Sequence, residues 1–291
     1  MDSGSDVLLI PNKEELQKAY ELVKKLKLPK IPDSVITLQK EFASERPDID
    51  KIVQAITNDI SLSGHVLKII NSALYGLPRK IESIKQAAVM LGLDTLRKEV
   101  LATALNQSVT GETEFSKLFW KATHAVSAGM FSLSESLEAV NGDQAYLVGL
   151  FQDAGCLLLN QLTPSYHKLY QYSFYRPYSI LAQEWKLLGV HHAVIGYLFA
   201  KHWELPDTVC MAIYNSHRKS LDDIHDSEVK GLVSSLRIIN QFIGHQLFPE
   251  SIYDPESVDS VSTAYIEVMM DGSALADSLL DLKEHVDLNL Q

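Results

Sequence analysis

The 291 residues, 32.5 kDa, amount to about two domains at roughly 150 residues each, so one sizeable core with an appendage is expected. Hydrophobic residues at 46%, charged residues at 22% and a mean hydropathy of −0.01 exclude disorder over most of the length. Lys and Arg number 26 against 37 Asp and Glu, and the net charge of −11 opposes phosphate backbones and anionic membranes, which disfavours nucleic-acid binding by the whole chain.

Helical periodicity runs through the chain and no alternating β-branched stretch competes with it, so the expected fold is all-α. A short helix from Asn12 carries Leu16, Tyr20, Val23 and Leu26, and the segment Leu28-Pro29-Lys30-Ile31-Pro32 ends it, giving an N-terminal helical piece over 1–27. Ile49, Ile52, Val53 and Ile56 form the next apolar face, which Asn58-Asp59 closes while capping a helix that buries Val66, Leu67, Ile70 and Leu74. Gly76 with Pro78 reads as a helix end, and Gly92 joins helices over 83–92 and 94–107.

A central block follows, with helices over 114–137 and 143–162, a tyrosine-rich connection over 164–178, and helices near 180–188, 191–203, 206–217 and 227–247. Residues 248–291 hold ten acidic residues against one basic, −9 of the total −11. Val258, Val261, Tyr265 and Val268, then Leu275, Leu279, Leu282 and Val286, give this tail the spacing of two acidic amphipathic helices, docked or acting as a partner-binding arm.

Cys156 and Cys210 lie in apolar stretches and read as buried free thiols of a reducing cytoplasm. The start, MDSGSDVLLIPNKEEL, lacks the basic residues and the longer apolar run of a secretory signal. The longest nearly apolar stretch, 145–159, is 15 residues and too short for a bilayer of roughly 30 Å.

That stretch, AYLVGLFQDAGCLLL, carries Gln152 and Asp153 as its only polar side chains, and a buried carboxylate needs partners. Candidates on other apolar faces are His124, His192, His217 and Asn240. Singly, each reads as a satisfied core residue; together they suggest one polar cluster inside a bundle. His191, His167, His202, His225, His245 and His285 read as exposed or incidental.

LPKIPDSVITLQKEF, then NDISLSGHVLKIINSALYGLPRKIESIKQAAVMLGLDTLRKEVLATAL, LFWKATHAV, AYLVGLFQDAGCLLL and GVHHAVIGYLFAKHWELPDTVCMAIYNSH, in this order, resemble the HDOD family of bacterial signalling domains. That family is related to the HD-type metal-dependent phosphohydrolases. The resemblance implies a multi-helix HD-like bundle over 28–247. It would place the first HD ligand at His124 and the paired His-Asp motif at Gln152-Asp153, and the closing aspartate near Asn240. Glutamine and asparagine then stand where two ligands belong, and amide oxygens are poor ligands for Fe, Mn or Zn. A surviving His124–Asp153 pair would be a buried charge-assisted hydrogen bond.

Three readings follow. The first is a non-catalytic signalling or scaffold module without cofactor, acting through other signalling proteins or a small ligand, away from membranes. The second is a hydrolase of nucleotides or cyclic dinucleotides with a divalent metal on His124, Asp153, His192 and His217. Arg79, Lys80 and Arg97 then read as surface or, if they line a pocket, as anion contacts. The third, nucleic-acid binding through His65, Lys68 and Asn71 of a helix–turn–helix-like segment, lacks an arginine and has the chain's charge against it.

Overall fold

A computed structural model of the chain describes residues 10–253 apart from 27–31, 43, 45, 72–76, 78, 109–112, 138–139 and 164, together with Pro255 and Ala264. Thirteen helices occur among the described residues. They are α1 Lys13–Leu26, α2 Asp33–Phe42, α3 Ile49–Asn58, α4 Ile60–Ile70, α5 Ile84–Ser108, α6 Glu114–Ser134, α7 Gly142–Phe151, α8 Ala154–Leu162, α9 Tyr166–Tyr175, α10 Pro177–Leu188, α11 His192–His202, α12 Asp207–Asn215 and α13 Ser227–Leu247. The chain is all-α, as its periodicity predicts. Among the described residues no helix is long and apolar enough to cross a membrane.

Short polar side chains start many of these helices by accepting the first free backbone N–H groups. Asn12 and Glu15 exchange such bonds at α1, Asp59 accepts from Leu62 at α4, Thr113 and Ser116 form a capping box at α6, and Asp226 accepts from Val229 at α13. At Gly92 the backbone turns to φ +82, which a side chain would oppose, and this breaks α5 where the sequence places the joint.

The helices divide into two compact units, α2–α5 in one and α1 with α6–α13 in the other. The first buries Val35, Leu38, Ile52, Ile56, Leu62, Val66, Ile70 and Leu96. Its Asn71 side chain donates to the Leu67 and Ile81 carbonyls, both at 2.8 Å, and accepts from the Ile81 N–H at 2.7 Å. His65 contacts the Ser61 carbonyl and Gln107. Two of the three side chains offered for base reading are thus engaged within the protein.

In the second unit α13 is the central helix, buried at nearly every position from Val229 to Ile239. The predicted helix over 143–162 is two helices, because the chain leaves helical geometry at Asp153 (φ −103, ψ 9) before α8 begins. The tyrosine-rich connection is also a helix, α9. Tyr166, Tyr170 and Phe174, spaced by four, face inward, Tyr166 and Tyr170 against Phe115 and Phe119 of α6 and Phe174 against Tyr170 and Phe248. Trp203, with no exposed surface, packs against Phe151 and Phe199. Leu28–Ile31, the Gly76 and Pro78 helix end and the two acidic tail helices lie outside the described residues.

Glycine allows the closest crossing, where α8 meets α11. A Cβ on Gly155 would lie 2.1 Å from the His192 carbonyl oxygen. Gly155→Ala is therefore expected to cost about 3 kcal/mol or more in urea unfolding, at the upper end of overpacking effects. An unchanged midpoint and slope would contradict this close approach.

Candidate functional site

The break between α7 and α8 delivers Asp153 to the start of α11. Its carboxylate is 5% exposed and, among the described residues, accepts no hydrogen bond; Oδ1 lies 3.8 Å from His192 Nε2. His192, fully buried, stands at the N-terminus of α11 and is held from α10 by Glu184. Nδ1 of His192 is 2.8 and 2.9 Å from the two Glu184 oxygens, and the His192 backbone N–H donates to Oε2 at 2.8 Å. The Tyr166 hydroxyl donates to Glu184 Oε1 at 2.5 Å and lies 3.2 Å from Cys156 Sγ.

On the other side of His192, Nε2 is 2.9 Å from Nε2 of His217, whose Nδ1 is 3.0 Å from the Pro177 carbonyl oxygen. Every contact is satisfied when both Nδ1 atoms carry a proton and one further proton lies between the two Nε2 atoms, and the Glu184 carboxylate beside His192 places that charge on His192 rather than on His217. His217 is neutral with its proton on Nδ1, donating to Pro177, and its Nε2 lone pair accepts from a doubly protonated His192. The result is a buried relay: Glu184 carboxylate, His192 imidazolium, neutral His217 and a peptide carbonyl.

The acidities agree with this pattern. Burial alone would raise the Glu184 carboxyl, but the His192 charge and the hydrogen bonds from His192 and Tyr166 hold it below the ordinary carboxylate value. Burial disfavours a charged His192, and the Glu184 carboxylate outweighs it, so the imidazole is raised. Burial and then the His192 charge push His217 down to about 3. For Asp153 burial dominates; the His192 charge opposes it, Glu184 adds to it, and the group is pushed up to about 6.

The remaining sequence candidates divide. Gln152 and Asn240 meet as a reciprocal amide pair, Nε2 of Gln152 donating to Oδ1 at 2.9 Å and Nδ2 of Asn240 donating to Oε1 at 2.8 Å. His124 does not reach Asp153. Its ring lies against Trp120, centroids 6.1 Å apart, and hydrogen-bonds to none of the cluster residues among those described; burial lowers its imidazole. The expected His124–Asp153 hydrogen bond is therefore replaced by the Asp153–His192 approach, because α7 and α8 bend at Asp153. His191, read as incidental, is 6% exposed and caps α11 by accepting the Val194 N–H. His202, His225 and His245 are exposed. Arg79 and Lys80 are exposed in the α2–α5 unit, where the Arg97 guanidinium lies 5.4 Å above the Phe42 ring.

Glu184, Tyr166 and Arg237 are the members that sequence reasoning missed. The signal for Glu184 is its register, four residues after the buried Ile180. Arg237, 7% exposed, donates through Nη2 to the Arg218 carbonyl and, at 3.2 Å, to the Lys219 carbonyl, and its guanidinium lies 5.6 Å from the Tyr178 ring. One side chain thus braces the segment just after His217 and the residue next to Pro177, the two anchors of the His217 ring.

The HDOD domain model matches residues 28–219. The chain belongs to the HDOD family. This HDOD chain is 27% identical over 224 residues to an uncharacterized protein of Treponema pallidum, covering 74% of this chain and 42% of that one. It is 38% identical over 65 residues to YuxH of Bacillus subtilis, covering 22% and 16%. It spans less than half the length of these curated relatives. Among solved structures it resembles a candidate signal transduction protein of Marinobacter aquaeolei, with TM-score 0.76, 18% identity and coverage of 100% and 67%. A candidate phosphohydrolase of Shewanella amazonensis gives TM-score 0.70, 23% identity and coverage of 95% and 97%. At these identities the structures establish the shared fold.

Because Asp153 holds its proton more tightly folded than unfolded, its contribution is present at low pH and is lost as pH rises through about 6. Asp153→Asn is therefore expected to leave stability near pH 4 little changed and to raise it on the order of 2 kcal/mol at pH 7.5, measured by urea unfolding. Lower stability at pH 7.5 would show that the carboxylate has a stabilising partner.

Proposed function

We propose that this HDOD chain is a non-catalytic signal-transduction module in which the reaction centre of HD enzymes is closed, and that it acts by binding a protein partner or a small ligand. The observation that carries this reading is the reciprocal bonding of Gln152 and Asn240, at 2.9 and 2.8 Å. Each amide donates one N–H to the other's oxygen, so each oxygen already accepts a hydrogen bond, and an amide oxygen is a weak ligand beside imidazole and carboxylate.

The divalent metal implied by kinship with HD enzymes does not fit the residues as arranged. His124 stands apart against Trp120, and the His192 and His217 Nε2 atoms are 2.9 Å apart, at hydrogen-bonding distance. Two nitrogens on one tetrahedral cation, each bound at about 2.0–2.1 Å, stand about 3.3 Å apart. The placement of both cysteines, buried and free, supports action in a reducing cytoplasm. Other signalling proteins are the proposed partners, in keeping with the description of the Marinobacter neighbour.

One observation favours a second reading, a metal-dependent phosphohydrolase acting on nucleotides or cyclic dinucleotides. Donor atoms of Asp153, His192 and His217 lie within 4.8 Å of one another. The far ring nitrogens are engaged by Glu184 and the Pro177 carbonyl, as metal-ligating histidines usually are. Elemental mass spectrometry for Mn, Fe, Co, Ni and Zn, on protein purified without chelator or metal-affinity resin, separates the two. The first reading predicts metal well below one ion per chain and no phosphodiester turnover. Near-stoichiometric metal and turnover, both lost in Asp153→Ala, would overturn it.

A further inference from the structure

Helix α1 lies ahead of the segment that the family matches, yet its contacts converge on the elements that build the relay. Its buried residues, Ala19 and Val23, accompany packing against α8 and α11. Its polar contacts are more specific. Glu15 Oε1 is 3.2 Å from His191 Nε2, and Oε2 accepts from the Tyr214 hydroxyl and the Asn12 N–H, both at 2.8 Å. The Lys18 ammonium lies 4.3 Å above the Trp185 ring, whose centroid is 6.1 Å from that of His191. The His191 and Tyr214 rings stack at 6.3 Å.

Each anchor of α1 neighbours a relay residue in the chain. Trp185 follows Glu184 on α10, His191 precedes His192 at the head of α11, and Tyr214 lies three residues before His217 at the end of α12. The link through His191 is the most direct. Its Nδ1 accepts the Val194 N–H at 3.3 Å and so caps α11, which leaves Nε2–H to donate to Glu15. The Glu15 carboxylate therefore fixes the ring that sets the N-terminus of α11, where His192 enters the relay.

We propose that α1 is a positioning strap: Glu15, acting through His191 and Tyr214, holds α11 and α12 in the register that brings His192 and His217 within hydrogen-bonding distance. The docking of α1 then sets the state of the buried relay, and a partner or ligand that competes for α1 would change the relay without touching it. This deepens the signalling module proposed above, and its test reads the ring pair itself, independently of metal content or turnover.

His191→Asn in the full chain keeps a side chain that caps helices well while removing the donor to Glu15. Tyr214→Phe removes one hydroxyl. Hydrogen exchange of the α1 amides and the imidazole ¹⁵N and ¹H resonances of His192 and His217 are the two readouts. Both variants are expected to speed exchange in α1 by about tenfold. Both are also expected to shift the His192 and His217 resonances. Glu15→Gln, which keeps acceptors for Tyr214 and Asn12, should shift them less than Glu15→Lys. If α1 loosens and the two histidine signatures stay at their wild-type positions, α1 is packing only and the proposal fails. It also fails if neither variant loosens α1. If His191→Asn does not fold, Tyr214→Phe decides by the same criteria.

Discussion

A carboxylate with no exposed surface, Glu184, has to be compensated inside the protein, and much of the second unit is arranged around that need. Stripping an ionised carboxylate of water costs several kcal/mol unless charge and hydrogen bonds replace the water. Glu184 receives a charged imidazole, a backbone N–H and a tyrosine hydroxyl. These come from the head of α11 and the first turn of α9, so one buried charge fixes where both helices start relative to α10. His192, charged by this pairing, then requires a neutral acceptor, and His217 meets the requirement because its one ring proton, on Nδ1, is donated to the Pro177 carbonyl, leaving the Nε2 lone pair free to accept.

The same chain of requirements accounts for the state of the neighbouring polar residues. With His192 and His217 bonded to each other, and Gln152 and Asn240 bonded to each other, Asp153 is left beside His192 without a hydrogen bond among the described residues, and burial makes it a weaker acid. Arg237 and α1 brace this arrangement from opposite ends of the sequence. Arg237 holds the carbonyls that follow His217, and α1 holds the ring that precedes His192. The site is therefore a hydrogen-bonded junction of α1 and α9–α13.

How much of this could be read from the sequence depends on the range of the interaction. Caps and glycine joints are local: Asn12, Asp59 and Gly92 act where their neighbours predict. Asp153, His192 and His217 were legible because a polar side chain in an apolar helix must have a partner, although the sequence does not name it. Gln152 and Asn240, 88 residues apart, were both suspect for that reason and found each other. The bend at Gln152-Asp153 was hidden because its flanks are apolar on every face, so periodicity carries no phase there. Glu184 was missed because ILAQEWKLL reads as an ordinary amphipathic surface helix. Only the third dimension turns that glutamate toward His192 and swings His124 away to Trp120.

The relay stands or falls with its charge pattern, which ¹⁵N–¹H spectroscopy of the histidine side chains in the wild-type protein at neutral pH reads directly. The expected pattern is a doubly protonated His192, and a His217 in the neutral Nδ1–H form with a through-bond coupling between the two Nε2 atoms. Two neutral rings, or a His217 carrying its proton on Nε2, would contradict it.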